Sequence, residues 1–394
     1  MTTSHDRLDQ WRRSRTRRLA ELEWVRTDTS GGRPVRFVAD EILVAGPDDG
    51  DGGVAAARQA LTGLGHRGSD IAENRTATGV RRLRVPGLDV AAAVRLARAA
   101  APAGTVVGAN HVFLSTPHEH GGPFGPPSAA VTAPTLAVPD DAADPVRVVV
   151  MDTGVWADSP LPLNGYLAAP EAYETNLDAD SDGNIDSDVG HANFIAGVVL
   201  QGTARAQVRI IKVLDTFGLC TEADLAASLT ALDDFDVLNL SLGGFSSDDQ
   251  PPAVLAQALG SVLSAGDRML VAAAGNDGVA DRPFWPAAFA GADVPWADRV
   301  LGVAAHDGSA ICDWSNSGPW VGLAAPGADV VSTYVNHAAF EGGWATWSGT
   351  SFATPHVVAA LVEQAAASGS PTAAAKALRE SAARAPLNGY PALW

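Results

Sequence analysis

Lysine is almost missing from this 394-residue chain: Lys212 and Lys376 are the only two, and the other basic side chains are arginines. Asp and Glu number 45 against 27 Lys and Arg, a net charge of -18. A nucleic-acid partner needs a basic face, so this balance argues against one. Cysteine is equally scarce. Cys220 and Cys312 stand far apart in sequence; they are free to pair, but nothing requires a disulfide framework, and a reducing compartment is permitted. No run of about eighteen apolar residues occurs, so no membrane span is expected. The segment from Asp6 to Arg18 is polar and arginine-rich. It lacks the apolar centre of a secretory signal, which makes a cytoplasmic location the expectation, with secretion left open.

Hydrophobic residues make up 46% of the chain, enough for one large domain and a smaller one. Residues 1–33 read as a charged, helical leader with a weak apolar face of Leu19, Leu22 and Trp24. Residues 34–115 then alternate: a strand from Val35 to Val44, a helix from Val54 to Leu64, a strand from Val80 to Val85, a helix from Leu88 to Ala100, and a strand from Thr105 to Leu114. That order predicts a small α+β domain. His111, His118 and His120 lie close together, yet without cysteine or carboxylate at ligand spacing they read as a surface loop. Residues 116–144, rich in proline and glycine, read as an extended linker. From residue 145 to 394 β-branched runs alternate with helical stretches. An α/β domain with a parallel sheet and helices on both faces is expected there, with functional groups at the carboxyl ends of the strands.

Four stretches carry candidate chemistry. Gly349-Thr350-Ser351 opens an apolar helix, with Pro355 expected in its first turn. A serine there meets free N–H groups and the positive end of the helix dipole, which suits an alkoxide and an oxyanion; an ordinary N-cap is the plainer reading. The apolar run Arg147–Met151 ends in Asp152. Gly190-His191 opens another helical stretch, and the run Met269–Ala274 ends in Gly275-Asn276. A turn Asp, a capping His and a turn Asn are the plain alternatives, each common by itself.

Together, Val149–Gly154, Gly190-His191, Ser241–Gly244, Ala273–Asn276 and Gly349–His356 resemble the subtilisin-like serine proteases, the subtilase family. The order Asp, His, Ser is that of subtilisin. The resemblance runs from about Pro145 to the C-terminus. It implies a subtilisin-like peptidase domain preceded by a ferredoxin-like, propeptide-type α+β domain at residues 34–115. That domain would act as an intramolecular inhibitor, with self-cleavage falling in the linker. Ser351 would be the nucleophile, His191 the base, Asp152 its orienting acid and Asn276 an oxyanion donor. Ser241, Leu242 and Gly243 would form one edge of a substrate cleft, and Gly218, Leu219 and Cys220 the facing edge, with Cys220 otherwise an inert buried thiol. Phe284 would floor the specificity pocket and favour small residues. One departure stands out: Ala192-Asn193-Phe194 replaces the family's Gly-Thr-His after its histidine. The expected activity is a serine endopeptidase acting on protein or peptide. A peptide transferase or macrocyclase on the same scaffold, and a silent peptide-binding pseudoprotease, are the alternatives.

No cofactor is expected for the chemistry. Asp178, Asp180, Asp182, Asn184 and Asp186, with Gly183, follow the spacing of a calcium loop, but Val189 stands where a bidentate Glu would complete it. Structural calcium and a solvated acidic loop both remain open.

Overall fold

The computed structural model describes residues 18–19, 21–46, 51–76, 78–115, 126–137 and 145–394. His118 and His120, most of the leader and much of the linker lie outside them.

Two sheets organise the chain. One is parallel throughout its seven strands and belongs to the C-terminal region. Its strands are β7 (Val146–Asp152), β8 (Tyr166–Ala168), β9 (Ala206–Lys212), β11 (Val237–Leu240), β13 (Met269–Ala273), β14 (Val300–His306) and β15 (Val321–Pro326), ordered β15-β14-β13-β11-β7-β9-β8. Alternate residues of one strand face opposite layers. Val148 and Val150 join one core, while Val149 and Met151 join the other. That is why the run is apolar without interruption. Helices α3 (His191–Gly202), α6 (Thr350–Ser368) and α7 (Pro371–Ala382) cover the first face, and α4 (Glu222–Thr230) and α5 (Ala253–Ser264) the second. Thr221 caps α4 by accepting the Asp224 N–H.

The N-terminal sheet is antiparallel. It contains β1 (Val25–Asp28), β2 (Val35–Ala45), β3 (Ala72–Arg75), β4 (Arg81–Arg84) and β5 (Val106–Ser115). Helices α1 (Asp51–Gly63) and α2 (Val90–Ala100) pack on it around Ile42, Leu61, Leu83 and Ala97. The order β5-β2-β4-β3 is the split βαβ arrangement of a ferredoxin-like unit. Two expectations change here. Residues 25–28 of the leader are a strand paired with β2, not helix, because Val25 gains a buried place against Val38. His111 is not in a surface loop: it sits buried on β5, with Nδ1 2.7 Å from Glu222 Oε2 of α4.

The linker is also partly structured. Ser128–Ala129 forms β6 on the edge of β17 (Trp344–Trp347), which pairs in turn with β16 (Val330–Thr333).

Strand β5 does not end within its own unit. It is flanked on one side by β10 (Leu219–Thr221) and on the other by β12 (Leu242–Gly243), both from the C-terminal region. The two units therefore share one continuous antiparallel sheet.

Candidate active site

Asp152 ends β7, where the chain must leave the sheet. Its carboxylate is fully buried and lies 2.7 Å from His191 Nδ1. It also accepts the Thr153 N–H at 2.7 Å. Thr153 Oγ1 in turn accepts the Ala192 N–H, which ties the strand end to the start of α3. Just before α3, Gly190 has φ +79°, and a Cβ there would lie 2.6 Å from the Tyr334 ring. Only glycine permits this left-handed turn under that ring, and the turn aims the next residue, His191, at Asp152.

The unusual residues after His191 are all satisfied. Asn193 accepts from Trp156 N–H and donates to Trp156 C=O and Ser159 Oγ. Phe194 packs 4.5 Å from Phe352, the neighbour of Ser351. His191 itself lies 5.3 Å from the Phe352 ring and edge-on to Trp347. His191 Nε2 is buried with no hydrogen-bond partner among the described residues.

Ser351 lies in the first turn of α6. The helix starts at Thr350, so Pro355 falls in the second turn and not the first. A residue there should donate its N–H to the carbonyl four positions back. Proline has no such N–H, and Ser241 Oγ donates to Ser351 C=O at 3.0 Å instead. The Ser351 hydroxyl donates to Ser241 C=O at 3.1 Å. Asn276 Oδ1 accepts the Thr350 N–H at 2.8 Å, while its Nδ2 is buried without a partner among the described residues. Asn276 thus touches the residue before Ser351, and His191 the ring of the residue after it.

Both expected substrate edges are engaged with β5. Gly243 lies opposite Leu114 and Leu242 opposite Ser115; Leu219 faces Leu114 and Cys220 faces Phe113. Gly218 C=O accepts the Ser115 N–H at 2.8 Å. Cys220 is buried and in no disulfide; burial raises its thiol well above the usual range. Phe284 is buried edge-on to Phe245 at 5.3 Å. It fills the space against the backbones of Gly243 and Gly275, where an added Cβ would meet it at 2.3 and 2.9 Å.

Of the acidic loop, Asp178, Asp180 and Asp186 bring carboxylate oxygens within 4.8 Å of one another. Asp182 Oδ1 instead takes the Asn184 amides. Burial raises the Asp186 carboxyl to about 6, with the charges of Asp180 and Asp178 adding to the effect. Three clustered oxygen donors fit a hard cation.

Some residues escaped sequence reasoning because their partners are distant. Buried Glu174 takes the Gly154 N–H and Lys212 Nζ, bracing the turn after Asp152. Asn316 braces the Asn276 loop through Ala274 C=O and Asp277 N–H. No local pattern marks either.

A parallel sheet covered on both faces is the fold expected of the subtilases. The model of that family, peptidase S8, matches residues 144–392, and the chain belongs to it. It is 33% identical over 233 residues to M-protease of Shouchella clausii, a match covering 56% of this chain and 54% of that protein. To minor extracellular protease Epr of Bacillus subtilis it is 30% identical over 236 residues, covering 56% of this chain and 32% of that one. Subtilisin Savinase of Lederbergia lenta is 32% identical over 233 residues, 56% of this chain and 76% of its own. The chain thus spans about half or less of the length of the first two relatives. Among solved structures, a cold adapted subtilisin-like serine proteinase aligns with TM-score 0.48 and 23% identity, covering 64% of this chain and 92% of that one.

Proposed function

We propose that this protein is a serine endopeptidase whose N-terminal unit regulates it from within. The observation that carries the reading is β5, an extended strand held on both edges beside Ser351 by β10 and β12. A cleft that clasps backbone in this way binds peptides largely without regard to sequence, and its side-chain pockets add selectivity. Ser351 attacks the scissile carbonyl. His191 takes the proton and returns it to the leaving amine, and Asp152 holds the imidazole tautomer. The Asn276 amide donates to the oxyanion. With β5 in the cleft the Ser351 hydroxyl is bonded to Ser241 and not to His191; the hydrogen bond to the base forms when a scissile substrate is bound.

With β5 in place, Asp152, His191, Asn276 and Ser351 are all buried. The N-terminal unit acts as an intramolecular inhibitor, and cleavage within residues 116–144 releases it. Asp178, Asp180 and Asp186 hold a structural calcium ion that takes no part in the chemistry. A fluorophosphonate probe tests the reading. It should label the chain, faster once β5 is displaced, and labelling should vanish in Ser351→Ala. No labelling under either condition removes the endopeptidase.

A further inference from the structure

The chain's own strand shows what one position of the cleft accepts. Ser115 and Asp188 are both buried, at 1% and 0% exposure. Ser115 Oγ donates to Asp188 Oδ1, and Ser187 Oγ donates to Asp188 Oδ2. Asp188 is fixed by its backbone as well: its N–H donates to Thr216 C=O, and its C=O accepts the His191 N–H. The Asp188 backbone therefore belongs to the turn that leads into His191.

The opposite wall is backbone. Gly218 has φ +74°, and a Cβ there would stand 1.9 Å from Ser115 Oγ and 2.8 Å from Asp188 Cγ. The space between Gly218 and Asp188 thus has the size of a small side chain, with a carboxylate oxygen at its end. The acidic neighbour Asp215 has its own carboxyl raised, chiefly by burial, with the charge of Asp188 contributing and Arg18 opposing.

Register fixes which substrate position this is. Ser115 lies opposite Leu242, and the preceding residue, Ser241, carries the carbonyl bonded to Ser351 Oγ. In an antiparallel pair, a bound peptide places its next residue opposite Ser241, beside the nucleophile. Residue 115 therefore marks the second position on the acyl side of the bond to be cut.

We infer that Asp188 is a specificity-determining residue that selects substrates with a hydroxyl side chain, serine or threonine, at this second position. A peptide with an apolar residue there would forfeit the hydrogen bond that the Ser115 hydroxyl makes to Asp188, and sites built around a hydrogen bond reject analogues that lack it. Alanine fits the space as well as serine does, so discrimination between the two reads the hydrogen bond and not the fit. The inference rests on the endopeptidase reading for its substrate, and on the Ser115–Asp188 contact alone for its chemistry.

The test uses the full chain after β5 is displaced, and four peptides differing only in Ser, Thr, Ala or Val at this position. Wild type should cleave the Ser and Thr peptides with kcat/KM at least about tenfold above Ala and Val. Asp188→Ala should level the four, and a preference for Ser and Thr that persists in it overturns the inference. If wild type is labelled and cleaves Ala as well as Ser, the inference is overturned and the endopeptidase reading stands. If no labelling occurs, that reading fails, and hydrogen exchange in the Ser351→Ala chain decides the contact. Ser115→Ala should speed β5 amide exchange about tenfold or more, Ser115→Thr should not, and Ser115→Ala should have no further effect in Asp188→Ala. Unchanged exchange in Ser115→Ala overturns the inference.

Discussion

Ser241 and Ser351 exchange hydrogen bonds reciprocally, each hydroxyl donating to the other's carbonyl at 3.0 and 3.1 Å. Residues 110 apart in sequence are locked together because Pro355 leaves the Ser351 carbonyl without a helical donor. A helix defect is thereby converted into a tie between the cleft edge and the proposed nucleophile.

Removing that tie should show its origin. Ser241→Ala leaves a buried carbonyl unpaired and should cost about 1–3 kcal/mol in urea unfolding. In a Pro355→Ala background the restored N–H supplies the bond, so the same change should cost markedly less. Equal costs in both backgrounds would break the link between the proline and Ser241.

Asn276→Ala should preserve folding yet slow peptide hydrolysis about 10²–10³-fold, a magnitude carried over from the oxyanion-hole asparagine of subtilisin itself. The loss should fall on kcat more than on KM, since the interaction is made in the transition state. A loss confined to KM would show that the amide binds ground-state substrate instead.

Phe284 occupies the space beside Gly243 and Gly275. Phe284→Ala should shift cleavage from small toward large aromatic residues before the cut bond, by about tenfold or more in relative kcat/KM. It should also cost about 3–5 kcal/mol of stability, since the ring is buried. Peptide-library profiling of both proteins checks this; a wild-type preference for large aromatics would place the pocket elsewhere.

His356 lies on α6 five residues after Ser351, and burial, reinforced by His306, pushes it from 6.5 down to about 4. Between those values the unfolded chain binds the proton and the native chain does not. Stability should therefore hold above pH 6.5 and fall as pH drops toward 4, by at most about 1.4 kcal/mol per pH unit from this group. Thermal melts of His356→Gln should show a shallower acid slope than wild type; parallel slopes would remove the histidine from the account.

Calcium at Asp178, Asp180 and Asp186 would bind the native state only. Millimolar calcium should then raise Tm, and the increase should disappear in Asp180→Asn. A Tm indifferent to calcium in the wild type leaves the loop as a solvated acidic turn.

Much of the fold was readable from periodicity. Runs such as Val148–Met151 are apolar at every position because both faces of their sheet are covered, and the helix expected from Leu88 to Ala100 is found as α2. The leader was misread because four residues, Val25–Asp28, carry too little pattern to show an edge strand that exists only by pairing with β2. His111 was misread for a related reason: its partner, Glu222, lies 111 residues away. Among the site residues, Asp152, His191, Asn276 and Ser351 each sit in a short local pattern, so their candidacy was visible before any geometry.

Element type, the parallel sheet and the identity of the candidate groups follow from the sequence alone, because strand and helix periods and turn residues act over a few neighbours. Only the tertiary structure decided that β5 lies between β10 and β12, that Ser241 stands in for the missing proline N–H, and that Asp188 meets Ser115. Those outcomes depend on register and burial across distant segments, where one hydrogen bond joins residues that no local pattern connects.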